Sequence, residues 1–407
     1  MIRPDRDRMP AAFASLLVTV GYLALAERLL EGRSVFGFAL RPPGILKALR
    51  GSGAPGPAAA SNAVASETGA SREARASVNA LFRELARGSR RRLRIAYLGD
   101  SIIEGDLITA DLRADLQARF GGKGVGCVDF ATPFAGLRKT IRETAGSGWR
   151  HWQIGVGAPP PVACGLGGTL AMAPADRDTA WLRFAAPKGR WKGDFPAAEL
   201  LYGAVPAAGP GVEVPAVIAT SPRGRNVFLL AGRGVVNRLR VLDGPAPWLE
   251  LRFTGAAQVP LFALDVSAGD GVFVDNFALR GCAGGELSSI PAETLRGFQA
   301  LLAYDLVVLH FGINVQHPRP EDYRLYERSL RWTLRHLAES LPGVPLVMVS
   351  APDRGFRTEA GMSSPPHLPY VLEAQRAAAA EAGAAYYNLF GAMGGTSAAM
   401  MLHRMLS

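Results

Sequence analysis

The chain has 407 residues, 48% of them hydrophobic and 20% charged, with 47 glycines and 29 prolines. That excludes a disordered polymer and a purely helical bundle, and it is enough chain for two sizeable cores. The formal net charge is +10, yet no zinc-finger or RNA-binding signature is present and aromatic residues do not interleave with the basic runs. This argues against nucleic acid and leaves an anionic membrane surface or an acidic polymer such as cell-wall glycan.

Arg3, Arg6 and Arg8 precede the apolar run "AAFASLLVTVGYLALA" at 11–26. A basic flank ahead of a run short for a membrane span and long for a signal core reads as an export signal kept as an anchor. Residues 1–30 are therefore a signal or membrane anchor, with "ALA" at 24–26 a candidate cleavage site. A buried amphipathic helix is the competing reading. Residues 31–70, with "GSGAPGPAAASNAVASETGAS", are small, polar and proline-bearing and form a flexible linker.

Helical spacing returns over 71–92, with Val78, Leu81, Phe82 and Leu85 on one face. The run "RGSRRRLR" reads as a solvated basic turn closing that helix. "LRIAYLGDS" is a strand and turn, and 106–120 is an amphipathic helix stopped by Gly121-Gly122. From about 125 to 275 the runs are short and apolar: "WRHWQIGV", "AWLRFAA", "AAELLYGAV", "VPAVIAT", "NVFLLAG", "VNRLRVL", "WLELRFTG" and "PLFALDV". Gly, Pro and Asp punctuate them, the pattern of an all-β sandwich. Afterwards "VFVDNFALRG", "DLVVLHFGIN", "VPLVMVSAP" and "AAYYNLF" read as strands, alternating with helices at "ETLRGFQALLAY", 321–340 and 370–382. This alternation predicts a parallel sheet with helices on both faces. The α/β domain thus occupies 71–125 and 275–407, interrupted by a β domain at 126–274.

Ligands of open parallel sheets bind at the carboxyl ends of the strands. Three small-residue motifs fall there: Gly99-Asp100-Ser101, Gly281-Cys282-Ala283-Gly284 and Gly312-Ile313-Asn314. Together they suit acyl transfer. Ser101 sits in a turn before a helix starting near Glu104, whose dipole favours negative charge. The Gly284 N–H and the Asn314 amide are oxyanion donors, each of which supplies about 3 kcal/mol in such sites. Asp100 reads as a cap on the following helix. Cys127, Cys164 and Cys282 fit no metal spacing and read as small buried hydrophobes, with a Cys127–Cys164 disulfide left open.

The motifs "GDS" 99–101, "RGCAGG" 280–285 and "FGIN" 311–314 resemble those of the GDSL/SGNH hydrolases. The resemblance implies a flavodoxin-like three-layer α/β domain, Ser101 as nucleophile, and an oxyanion hole of the Ser101 N–H, Gly284 and Asn314. The β insertion, "SAPDRG" 350–355 and "NLFGAMGG" 388–395 are similar to the two-domain bacterial carbohydrate O-acetylesterases, peptidoglycan-type enzymes among them. In those, a jelly-roll-like carbohydrate-binding module holds that place.

The family carries its catalytic pair as Asp-x-x-His after the last strand. Here no such block follows Leu389, and no aspartate lies beyond Asp353. The expectation is a C-terminally incomplete α/β domain; a glycan-binding protein without catalysis, or completion by a separate chain, are the alternatives. His403, and His367 with Asp353, are the candidate bases. His310 reads as a packing residue, His317 and His336 as surface residues, and His151, between Trp149 and Trp152, as half of a core strand pair, with sugar contact the alternative.

The resulting expectation is an exported serine esterase, anchored in the inner membrane with its catalytic domain outside the cytoplasm, or secreted if the signal is cleaved. It removes O-acetyl or similar small acyl groups from an acylated polysaccharide. The alternatives are a catalytically silent glycan-binding protein and a lipase or thioesterase. No metal or organic cofactor is implied.

Overall fold

The computed structural model describes residues 69–393 and 395, apart from 189–192, 208–212, 316–322, 354–355 and 359–360. The apolar run at 11–26, the linker before Gly69, His317 and His403 lie outside the described residues. Among the described residues, no helix is long and apolar enough to cross a membrane.

In chain order, α1 (Gly69–Ala86) leads into β1 (Arg92–Gly99) and α2 (Leu107–Phe120). Helix α1 stops earlier than its spacing predicts, because Gly88 turns the chain with φ 73°. The sandwich follows with β2 (Lys123–Val128), β3 (Arg142–Ala145), β4 (Arg150–Gln153), β5 (Thr169–Met172), β6 (Trp181–Ala185) and β7 (Phe195–Tyr202). It continues with β8 (Ala216–Ser221), β9 (Gly224–Leu229), β10 (Asn237–Ala246), β11 (Trp248–Thr254) and β12 (Leu261–Ala268). The chain then returns through β13 (Gly271–Ala278), α3 (Ala292–Leu302), β14 (Leu306–His310), α4 (Tyr323–Ser340) and β15 (Leu346–Val349). It ends with the hairpin β16 (Phe356–Thr358) and β17 (Gly361–Ser363), then α5 (Leu368–Ala382), β18 (Ala385–Tyr387) and α6 (Leu389–Ala392).

The parallel sheet has the order β13-β1-β14-β15-β18. Renumbered within this sheet, that is 2-1-3-4-5, the flavodoxin-like doubly wound order, with its topological switch point between β1 and β14. Strand β1 is buried at every residue after Arg92, so its side chains serve two cores. Ile95 and Tyr97 face Val78 of α1 and Ile108 of α2. Ala96 and Leu98 face a core built with Phe298, Leu330 and Ala378 from α3, α4 and α5.

The insertion is a sandwich of two antiparallel sheets. One has the order β10-β7-β12-β5-β4, with β2 added on β12; the other is β3-β6-β11-β8-β9. Strand β11 alternates buried and half-buried residues, as a one-sided strand should. Its Leu249, Leu251 and Phe253 pack with Phe195, Leu200 and Leu264 of the facing sheet. The eight apolar runs of this region all form strands. The glycine-bearing "KGVGCV" of β2 and the short "RETA" and "TLAM" of β3 and β5 are additions to them. The sandwich strands run from Lys123 to Ala268, and β13 belongs to the parallel sheet. A division after 274 therefore falls inside β13: both β12 and β13 read as buried strands, and only pairing decides which sheet each joins. The insertion leaves and returns at one place. The Val272 N–H donates to the Gly121 carbonyl at 3.0 Å. A Cβ on Gly271 would lie 2.0 Å from the Gly121 carbonyl carbon.

A buried ionic cluster joins the two domains. Arg94 of β1 donates from Nε and Nη2 to Asp275 of β13 at 2.7 and 3.0 Å, and from Nη1 to Asp265 of β12 at 2.8 Å. The Tyr304 hydroxyl and the Cys127 N–H also donate to Asp275, at 2.7 and 2.9 Å. Burial opposes every charge here, but Asp275 and Asp265 hold the Arg94 guanidinium protonated, and Arg94 holds the Asp275 carboxyl below the usual range. Cys127, Asp265 and Asp275 bring metal-capable atoms within 4.8 Å of one another, and the Arg94 guanidinium supplies the positive charge among them. All three cysteines are free and buried.

A second acidic pair lines a small cavity near this junction, with Asp129 and Glu143 beside Arg138. Glu143 accepts the Ala131 N–H at 2.7 Å, steadying Ala131 at φ 50°. Burial pushes the Glu143 carboxyl up to about 8 and the Asp129 carboxyl up to about 6. For a carboxyl raised in the folded state, the stabilisation is fully present below the unfolded value and lost as pH rises through the folded one. Glu143→Gln should therefore match the parent in thermal midpoint at pH 4 and exceed it at pH 9. A difference that does not grow with pH in differential scanning calorimetry would contradict this.

Candidate active site

Three turns at the carboxyl ends of β1, β13 and β14 carry the motif residues, and hydrogen bonds tie each turn to the other two. Asp100 is fully buried. Its carboxylate accepts from the Ile102 N–H at 3.0 Å within its own turn. It also accepts from the Gly312 and Ile313 N–H groups at 3.2 and 3.3 Å. The Asn314 amide donates to the Cys282 carbonyl at 2.9 Å, joining the second pair of turns. Arg280 closes the triangle through a bidentate ion pair with Glu104. Burial raises the Asp100 carboxyl to about 6 although three N–H groups favour its ionised form. Asp100 therefore fastens the serine turn to the asparagine turn and does not cap the next helix.

That helix begins later than its sequence suggests. Successive tight turns fill residues 100–106, with Ile103, Glu104 and Asp106 N–H groups bonded to the carbonyls of Asp100, Ser101 and Ile103. Helix α2 starts at Leu107, so Ser101 is not in its first turn and gains little from its dipole. Asp106, at φ 55°, precedes it with a buried carboxylate that accepts from Arg113 at 3.1 and 3.0 Å and from the Thr109 and Thr140 hydroxyls. Burial acts against this charge, but Arg113 and Arg138 hold the carboxyl below its ordinary range.

Glycine is required at two of these corners. A Cβ on Gly99 would lie 2.9 Å from both the His310 carbonyl oxygen and Ile103 Cδ1. Gly312 has φ 125°, and a Cβ there would lie 2.7 Å from Gln375 Nε2. Gln375 is a buried residue that sequence periodicity passes over as one polar position in an alanine-rich helix. It accepts the Ala351 N–H at 2.9 Å and donates to the Phe311 carbonyl at 2.8 Å, holding the asparagine turn against α5.

Ser101 is half-buried, and among the described residues no group hydrogen-bonds to its hydroxyl. The Gly284 N–H, by contrast, donates to Glu286 Oε2 at 2.9 Å. The insertion also reaches these turns. Gln153 Nε2 donates to the Arg280 carbonyl at 2.9 Å, and the Phe134 ring lies 4.3 Å from the Arg280 guanidinium carbon.

The histidines occupy other surroundings. His310 is buried, its Nδ1 lies 3.1 Å from the Tyr97 hydroxyl, and burial lowers it to about 3, so it is neutral in the core. His336 is not a simple surface residue: its Nε2 lies 2.8 Å from the Ile290 carbonyl oxygen. His151 is half-buried on β4, and burial lowers it to about 4. His367 immediately precedes α5, in the segment that follows β15 on the ligand edge of the sheet. Asp353 in that segment is buried and accepts from the Ser364 hydroxyl at 2.8 Å.

No protein-family model and no curated protein matches this sequence. Among solved structures, a peptidoglycan O-acetylesterase is similar with TM-score 0.60 at 23% identity, covering 77% of this chain and 83% of its own. A salicylyl-acyltransferase from a tetracycline biosynthetic pathway matches at TM-score 0.23 and 12% identity, over 65% of this chain and 85% of that one. A family two carbohydrate esterase from Cellvibrio japonicus matches at TM-score 0.23 and 10% identity, over 61% and 88%. The chain shares its fold with the first of these: a flavodoxin-like parallel α/β sheet interrupted by a β domain.

Proposed function

We propose that the protein is a serine carboxylic-ester hydrolase that removes O-acetyl or similar small acyl groups from an envelope or extracellular polysaccharide. The observation that supports this reading is the triangle of hydrogen bonds that ties the turns bearing Ser101, Gly284 and Asn314 to one another. The Ser101 oxygen attacks the ester carbonyl carbon, and its proton passes to a base. Charge developing on the carbonyl oxygen meets the Ser101 N–H, the Gly284 N–H and the second N–H of the Asn314 amide. Collapse expels the sugar oxygen, which takes up a proton, and leaves an acyl-serine that water then hydrolyses.

A polysaccharide substrate is favoured by the sandwich, whose Phe134 and Gln153 border the site. It is also favoured by the peptidoglycan O-acetylesterase of similar fold. The net charge of +10 suits an anionic polymer. The apolar run at 11–26 behind three arginines supports export with attachment to a membrane. His310 is a poor base, because burial lowers it to about 3, it is closed off from solvent and its Nδ1 is placed against Tyr97. His367 and His403 are retained as candidates.

The test is acetate release from an O-acetylated polysaccharide and from 4-nitrophenyl acetate, with and without added imidazole as an external base. An acetyl adduct on the peptide containing Ser101 is expected. Retention of the polysaccharide with neither acetate release nor adduct would replace the hydrolase by a silent glycan-binding protein.

A further inference from the structure

Glu286 stands against the donors that an ester oxyanion needs. Its carboxylate accepts the Gly284 N–H at 2.9 Å through Oε2, and the Ala283 N–H at 3.2 and 3.1 Å through both oxygens. Gly284 has φ 100°, and a Cβ there would lie 3.1 Å from the Phe311 ring, so a glycine is what lets the backbone pass here with its N–H on the Glu286 carboxylate. The insertion borders the Glu286 stem as well: Gly155, at φ 72°, leaves no space for a Cβ, which would lie 2.6 Å from Glu286 Cγ.

We propose that the Glu286 carboxylate is the resting occupant of the oxyanion cradle, which a substrate must displace before the Gly284 N–H can serve the reaction. The inference rests on the esterase reading above. One N–H pointing at a fixed carboxylate is not available to a second anion, and a negative group beside the forming oxyanion raises its energy. Charge-assisted hydrogen bonds are roughly twice as strong as neutral ones. A glutamine at 286 keeps an acceptor for the turn, so the loop stays supported, while the cradle becomes easier to vacate and the repulsion disappears. Because the oxyanion exists only in the transition state, the gain belongs in kcat and not in KM.

The experiment compares the parent chain, Glu286→Gln and Ser101→Ala on a small acetyl ester, and measures binding of methylboronic acid. That reagent adds the Ser101 oxygen to boron and forms a tetrahedral anion, the hydroxyl proton passing to solvent. Glu286→Gln should raise kcat about five-fold with KM little changed, and tighten the boronate by a similar factor. If Glu286 only supports its turn, the variant equals or falls below the parent in both measurements, and the proposal is overturned. If the parent neither hydrolyses the ester nor binds the boronate in a Ser101-dependent way, the esterase reading itself falls and takes this inference with it.

Discussion

Ser101→Ala should lower acetyl-ester turnover by about four orders of magnitude or more, the scale seen when a serine enzyme loses its nucleophile. The loss should appear in kcat, and binding of the intact ester should barely change. The reason is local. Ser101 contributes its hydroxyl to the attack, but none of the bonds that hold the three turns together involves its side chain. Asp100, Asn314 and Arg280 keep the site assembled in the variant, so the thermal midpoint should stay within a degree or so of the parent. A variant that kept measurable Ser101-independent turnover at the parent level would show that the nucleophile lies elsewhere. A variant that lost activity and also unfolded early would mean that the hydroxyl has a structural partner.

Arg94→Met should cost about 3–5 kcal/mol of folding stability, the penalty for removing one member of a buried ion pair. Asp275 and Asp265 would then lie in the interior with no cation between them, and Asp275 would keep only the Tyr304 hydroxyl and the Cys127 N–H. Denaturant unfolding followed by tryptophan fluorescence measures the change. Replacing Asp265 and Asp275 by asparagine in the same chain should restore part of the loss, because the uncompensated charges are gone. A single variant that loses less than about 1 kcal/mol would mean that water reaches the cluster and screens it.

Much of the fold was legible because its strands sit in simple environments. The run through Ile95, Ala96, Tyr97 and Leu98 is buried on both faces and reads as a parallel strand; the alternation of Trp248–Thr254 reads as one face of a sandwich. What could not be read depends on partners distant in the chain. Arg94 looks like the last residue of a basic turn, yet it lies in the interior against carboxylates 171 and 181 residues away. Asp100 looks like a local cap, but two of its N–H donors are 212 and 213 residues downstream. His336 faces a carbonyl 46 residues back, which no periodicity on its own helix announces. At the candidate site, the glycines mark where backbone must pass close to backbone, and that signal is local. The engagement of the Gly284 N–H by Glu286 is local in sequence too, but it depends on a side-chain rotamer that residue types alone do not specify.

The meeting of Gly121 with Gly271 has a consequence for how such a protein is assembled and taken apart. The sandwich is attached through two chain crossings that already touch, so excising 123–268 would require only a very short bridge and little extra loop-closure entropy. In connectivity the sandwich is a removable module. In energy it is not, because it supplies Asp265 to the Arg94 cluster and Thr140 and Arg138 to Asp106. Grafting a different module onto this sheet would therefore require a replacement carboxylate for Arg94 before it required a new linker.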